Sequence, residues 1–414
     1  MKLKSKFEFW IVIAILLLNS VVLLVESGAR GNIHLGLIRG YVAIIFVTYF
    51  LLSNLKLNRL TLYVYLFLIY LFLLALFSQN PAYSLTMFSR VYITLMMLPI
   101  GYYVVNSVRR FEMLNRTYIY ILTLICIYII ISNILGIGIS TYLEGTFYTG
   151  QTNVNIVKDM LILLVAVPVY YTMFIDEKEN YASNKYVLLF ITITTLLIVV
   201  IGFKRGALLA LIAGLLTYIY YSPYKIRISK YIVISGLILL ITSPIYINVL
   251  LDRYEHRRDL IERMGNIQQI AEERTDRVGE FITTVEVVSE DGILSTFFGK
   301  DLFDHVGVLP GFGFNRSIHV DYSVYLYGAG LIGLFLYLWL HIMILLENNK
   351  YYKHLKDIRE IRELKTIIFV VIIMSLLMSI SGGWGNITFR TFIMLYLGAC
   401  LGVMKTIYLN EKSE

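Results

Sequence analysis

Arg316, His319 and Asp321 fall within about one and a half helical turns of one another, where a polar loop gives way to an apolar run fit to cross a bilayer. The whole run, Gly311 to Gly333, reads GFGFNRSIHVDYSVYLYGAGLIG. Titratable groups at a membrane boundary are costly to hold there, so they point to a use. An imidazole titrates near neutrality and can take a proton from a hydroxyl, which makes His319 the candidate general base. Asp321 is the rival base or an orienting residue; its structural alternative is an N-cap or first-turn carboxylate for the following helix.

Further cations stand where topology does not require them. Arg90 lies early in an apolar segment, Lys204 and Arg205 sit at a turn between two others, and Arg390 opens the last. Each alone can be a side chain snorkelling to lipid head groups. Converging with Arg277, Arg316 and His319 on one pocket, they would instead suit a diphosphate, because the guanidinium fork matches phosphate oxygens in a bidentate way.

The elements that must position these groups are helices in a membrane. The chain of 414 residues is 58% hydrophobic and 15% charged, with mean hydropathy +0.72, which places it among integral membrane proteins. Apolar segments of spanning length recur at about 9–25, 35–53, 60–77, 85–105, 117–135, 159–175, 186–202, 206–221, 231–250, 322–346, 366–381 and 389–408. The expected fold is therefore all-α, with twelve spans in one membrane domain covering 1–414. The first segment follows MKLKSKFEFW and runs to Val25 without a small-residue cleavage site, so it reads as a retained helix.

Alternating from an inside N-terminus, the short loops and adjoining helix ends place 21 lysines and arginines inside and 7 outside. That asymmetry predicts cytoplasmic termini and accounts for the net charge of +8 without invoking nucleic acid. The one long connection, 251–321, then falls on the extracytoplasmic side. It carries an amphipathic pattern in Leu260, Ile261, Met264, Ile267 and Ile270, a second helical stretch from about Arg274 to Val288, and a glycine-rich and aromatic return.

Other chemistries find little in the sequence. Cys126 and Cys400 both fall in apolar segments, so no disulfide framework or thiol metal site is implied. HExxH, CxxC and P-loop patterns are missing, and no metal or other cofactor is expected. The first outer loop offers only Glu26, not the acidic pair of a metal-using membrane glycosyltransferase. Tyr142, Phe147, Tyr148, Phe312 and Phe314 suit either sugar stacking or an interfacial belt. Gln151, Asn153 and Asn155 offer hydrogen bonds to a glycan or simply solvate their loop.

Arg205-Gly206-Ala207-Leu208-Leu209 resembles the Arg-x-x-x-Leu element of the O-antigen polymerase (Wzy-type) and O-antigen ligase superfamily. His319, with Gly330 and Gly333 downstream, resembles that family's His-[Asn/Ser/Gln]-x9-Gly-x-x-Gly element, and Arg277 takes the place of a loop arginine. Val320 departs from the ligase pattern, which has an amide or hydroxyl residue there, and this favours polymerase over ligase. The resemblance implies a glycan carried on undecaprenyl diphosphate and transferred outside the cytoplasmic membrane. Arg205 and Arg277 would hold the diphosphate and His319 would activate the acceptor hydroxyl, by single displacement with inversion. A chain-length regulator and a flippase would be partners alongside membrane lipids. A ligase, or a flippase of lipid-linked oligosaccharide, is the alternative.

Overall fold

The computed structural model describes residues 2–28, 33–53, 57–135, 161–167, 182–201, 205–222, 277–304, 318–381 and 387–412, with a few isolated positions between 233 and 251. Its helices are α1 (Lys2–Gly28), α2 (Ile33–Ser53), α3 (Arg59–Leu76), α4 (Pro81–Val104), α5 (Val108–Leu135), α6 (Ala182–Ile201), α7 (Arg205–Tyr221), α8 (Arg277–Glu290), α9 (Ile293–Phe298), α10 (Asp321–His354), α11 (Arg359–Ser381) and α12 (Ile387–Glu411). No strand occurs among the described residues. Six of these helices, α3, α4, α5 and α10 to α12, include a stretch long and apolar enough to cross a membrane. That is the profile of a polytopic, all-α membrane protein. The amphipathic stretch 260–270, Lys204, Arg316 and the polar and aromatic loop 136–157 lie outside the described residues.

The sequence sets several helix starts directly. Asn58 and Thr61 form a reciprocal capping box at the head of α3, with Asn58 Oδ1 accepting the Thr61 N–H at 2.7 Å. Asn80 caps α4, and Pro81 takes the first helical position, where a missing N–H costs nothing. Between them, residues 77–80 make a short turn, so α3 and α4 run antiparallel.

The centre of the bundle is the crossing of α4 and α12. A Cβ on Gly398 would meet the Leu98 carbonyl oxygen at 2.1 Å, and one on Gly101 would meet the Leu395 oxygen at 2.4 Å. A Cβ on Gly402 would meet the Tyr102 carbonyl oxygen at 2.6 Å. Helices in lipid gain most from close backbone approach, and Gly398 and Gly402 have the four-residue spacing that permits it.

The sequence predicts an unbroken tenth span over 322–346, but α10 is interrupted. Gly330 stands at φ 65° and ψ −167°, outside the helical range, so the helix is kinked there. Two carbonyls near the break find other donors: Tyr327 accepts from the Lys300 N–H at 2.7 Å, and Ala329 accepts from the Tyr70 hydroxyl at 2.7 Å. A Cβ on Gly330 would lie 2.3 Å from the Phe297 backbone, so α9 packs into the breach.

These contacts sort the bundle into two ends. At one, Ser84 donates to the Leu302 carbonyl at 2.6 Å and the Gln79 N–H donates to Asp301 at 3.3 Å, which brings the α3–α4 turn against residues 299–304. At the other, Thr406 donates to the Asn106 carbonyl at 3.0 Å, and Tyr102 and Tyr351 share a 2.5 Å hydroxyl contact. Helix α8 sits at the first end. Over its first two turns Val278, Ile282 and Val285 are exposed while Glu280, Thr283 and Thr284 are buried, and in its last turn Val288 is buried with Ser289 and Glu290 exposed.

Candidate functional site

The site forms where α10 begins. Val320 is the N-cap residue, extended at φ −73° and ψ 127°, and its side chain makes no capping bond. A helix start has backbone N–H groups with no partner of their own, and they need one when buried. Glu280 supplies it from α8: one carboxylate oxygen accepts the N–H of His319 at 2.7 Å and of Val320 at 2.5 Å. The other oxygen faces Arg277 Nη1 at 3.2 Å. Glu280 is 0% exposed, and a buried carboxylate is tolerable because these three donors compensate it. Val320 has no side-chain oxygen to cap α10, and Glu280 does the capping from another helix.

His319 and Asp321 are two residues apart yet meet different surroundings. His319 is exposed, and the side chain of Arg277, held by the same Glu280, is 36% exposed. Asp321, in the first turn of α10, is fully buried and ion-paired with Arg390 Nη2. The Tyr337 hydroxyl bonds to Ser379 Oγ at 2.6 Å and to the Arg390 guanidinium, and the Tyr325 ring stacks on Tyr337 at 4.5 Å. Of the two proposed bases, only His319 is open to a substrate. Arg390 is engaged by a carboxylate that would otherwise be a buried, uncompensated charge.

The remaining cations are placed as follows. Arg205 is the first residue of α7, which runs antiparallel to α11: Tyr221 stacks on Phe369 at 4.8 Å, and Gly214 lies against Met374. Because α11 begins at the other end, the start of α7 reaches the end where α10 and α12 begin. Arg205 and the His319 backbone thus share one end of the bundle. Arg90 lies more than two turns into α4 and is half-buried. Lys204 and Arg316 lie outside the described residues.

Two carboxylates border this end. Asp301 accepts the Gln79 N–H, and burial pushes its carboxyl above the usual range, offset by that hydrogen bond and reinforced by the charge of Asp304. Lys300 pairs with Asp291. Among the described residues, no group of three or more His, Cys, Asp or Glu side chains is placed to hold a metal ion. An apolar groove beside Leu216, Thr217 and Tyr220 lies at the far end of α7, away from these groups.

The arrangement offers an exposed histidine whose backbone N–H, and a partly exposed arginine whose guanidinium, are both held by one buried carboxylate. Chemically it can bind an anion beside a group that accepts a proton. Sequence reasoning passed over Glu280. An arginine and a glutamate three apart on a helix are a readable pair, but nothing local signals that the same carboxylate reaches the backbone about forty residues on. Tyr70, Tyr337 and Ser379 were passed over as well, since each reads as an ordinary residue of an apolar helix. No protein-family model matches the chain, and no curated protein sequence matches it.

Proposed function

We propose that the protein is a polysaccharide polymerase of the O-antigen or capsule type, moving a growing glycan from undecaprenyl diphosphate to a lipid-linked repeat unit. Transfer takes place at the outer face of the bacterial cytoplasmic membrane. The observation that carries this reading is the joint tethering of the Arg277 guanidinium and the His319 backbone by Glu280, at one end of an apolar bundle. Arg277, with Arg205 at the same end, neutralises the diphosphate and makes it a better leaving group. His319 accepts the proton of the acceptor hydroxyl, and that oxygen attacks the anomeric carbon. The bond from that carbon to the diphosphate oxygen breaks, and undecaprenyl diphosphate leaves with the electron pair. A single displacement of this kind inverts the anomeric configuration.

Twelve spans, an extracytoplasmic 251–321 connection and cytoplasmic termini complete the reading. It is supported by the opposite end of the bundle, where Arg109, Lys353, Arg359 and Lys412 lie beside the α4–α5 and α10–α11 turns, as the positive-inside rule asks of a cytoplasmic face. The test is the purified protein in liposomes, given lipid-linked repeat units. Elongation of the glycan with inverted linkage is the expected result. Translocation without elongation would make the protein a flippase, and transfer only to a different acceptor would make it a ligase.

A further inference from the structure

We propose that Glu280 is the positioning residue of this site, its carboxylate joining the donor-binding guanidinium of Arg277 to the backbone of His319 and fixing the distance between diphosphate and base. The inference rests on the glycan-transfer reading above. Glu280 Oε1 accepts the N–H groups of His319 and Val320 at 2.7 and 2.5 Å, while Oε2 meets Arg277 Nη1 at 3.2 Å. Capping α10 needs no such arrangement. A serine or aspartate at position 320 would do it locally, whereas the side chain there is an apolar valine. The cap comes instead from another helix, through the carboxylate that also holds Arg277. Arginine and lysine side chains carry much rotamer freedom, and a guanidinium anchored on one edge still has N–H groups left for a phosphate. A base and a charge clamp held by one rigid link keep the near-attack geometry, and an error of about 1 Å there costs roughly a hundredfold in rate.

The experiment separates positioning from simple capping. The full chain, in liposomes with synthetic polyprenyl diphosphate-linked repeat units, is compared with Glu280→Gln and with Glu280→Ala carrying Val320→Ser. Glutamine keeps an oxygen for the two N–H groups but loses the charge that holds Arg277. We expect kcat/KM for the donor to fall roughly tenfold or more, with KM rising, while the thermal midpoint stays within about 2 °C. In the double variant the serine restores a cap within α10, so the midpoint recovers but the turnover does not. Wild-type turnover in Glu280→Gln, or turnover restored together with stability by Val320→Ser, would reduce Glu280 to a cap and overturn the proposal. A wild-type protein that elongates nothing would remove the glycan-transfer reading, and the positioning role with it.

Discussion

Asp321 and Arg390 form a buried ion pair that joins the first turn of α10 to the first turn of α12. Tyr337 and Ser379 extend it into a polar network between α10, α11 and α12. Removing one member of a buried pair leaves the other charge without compensation, at about 3–5 kcal/mol, whereas removing both can be nearly neutral. Asp321→Ala and Arg390→Ala are each expected to lower the thermal midpoint in detergent sharply. The Asp321→Asn/Arg390→Met combination should recover most of the loss. Additive losses in the double variant would mean that the two side chains stabilise the fold independently.

Gly330 marks a second place where one atom decides the fold. Its positive φ with extended ψ is a conformation almost confined to glycine, which a side chain resists by about 1–3 kcal/mol, and the approach of Phe297 to 2.3 Å from a built Cβ adds a clash with backbone that cannot rotate away. Gly330→Ala should therefore displace α9 from the break in α10 and lower the yield of folded protein. Gly40→Ala, in α2 with nothing within 4 Å of its Cβ, is the matched control and should behave as wild type. Equal folded yields for the two, measured by monodisperse recovery in mild detergent, would count against the packing described for α9.

Much of the architecture was legible in the chain because lipid makes strict demands. A helix that must satisfy all its backbone groups across a bilayer announces itself as a long apolar run, and α3, α4, α5, α11 and α12 fall close to the predicted segments. A helical stretch from about Arg274 to Val288 was also legible, and α8 covers Arg277–Glu290. The break in α10 was not. Its two carbonyls depend on Tyr70 and Lys300, which are remote in sequence, and a glycine in an apolar run reads equally as a packing residue. The Gly398/Gly402 spacing that lets α12 approach α4 stood in the sequence, but only contact with Leu98 and Tyr102 gives it a meaning. The Asp321–Arg390 pair escaped for the same reason: residues far apart in sequence met in space, and each read separately as a charge at a helix start.

The catalytic assignment makes its own demand on Arg205, Arg277 and His319. Alanine at any of the three should abolish long polymer, with protein level unchanged at Arg205 and His319; Arg277→Ala also strips the counter-charge from buried Glu280, so its polymer is read per amount of folded protein. Arg277→Lys should recover little, since an ammonium is a point charge without the planar fork. Immunoblots of membranes for level, paired with gel analysis of polymer length, make the check. Full-length polymer from all three alanine variants would end the assignment.

Asp301 predicts how stability responds to pH. Burial raises its carboxyl above the ordinary range, so the folded protein holds this proton at a pH where the unfolded chain has released it. Between the unfolded value, about 4 for aspartate, and the raised folded value, the native state binds more protons than the unfolded state. The sign follows from linkage: stability falls as pH rises through that window and levels off above it. Asp301→Asn removes the titration while keeping an oxygen to accept the Gln79 N–H. The variant should show a flatter dependence of thermal midpoint on pH above 4 and equal or higher stability at neutrality. Identical slopes for wild type and variant would show that Asp301 titrates as it does in water, and that its contact with the α3–α4 turn leaves the carboxylate solvated.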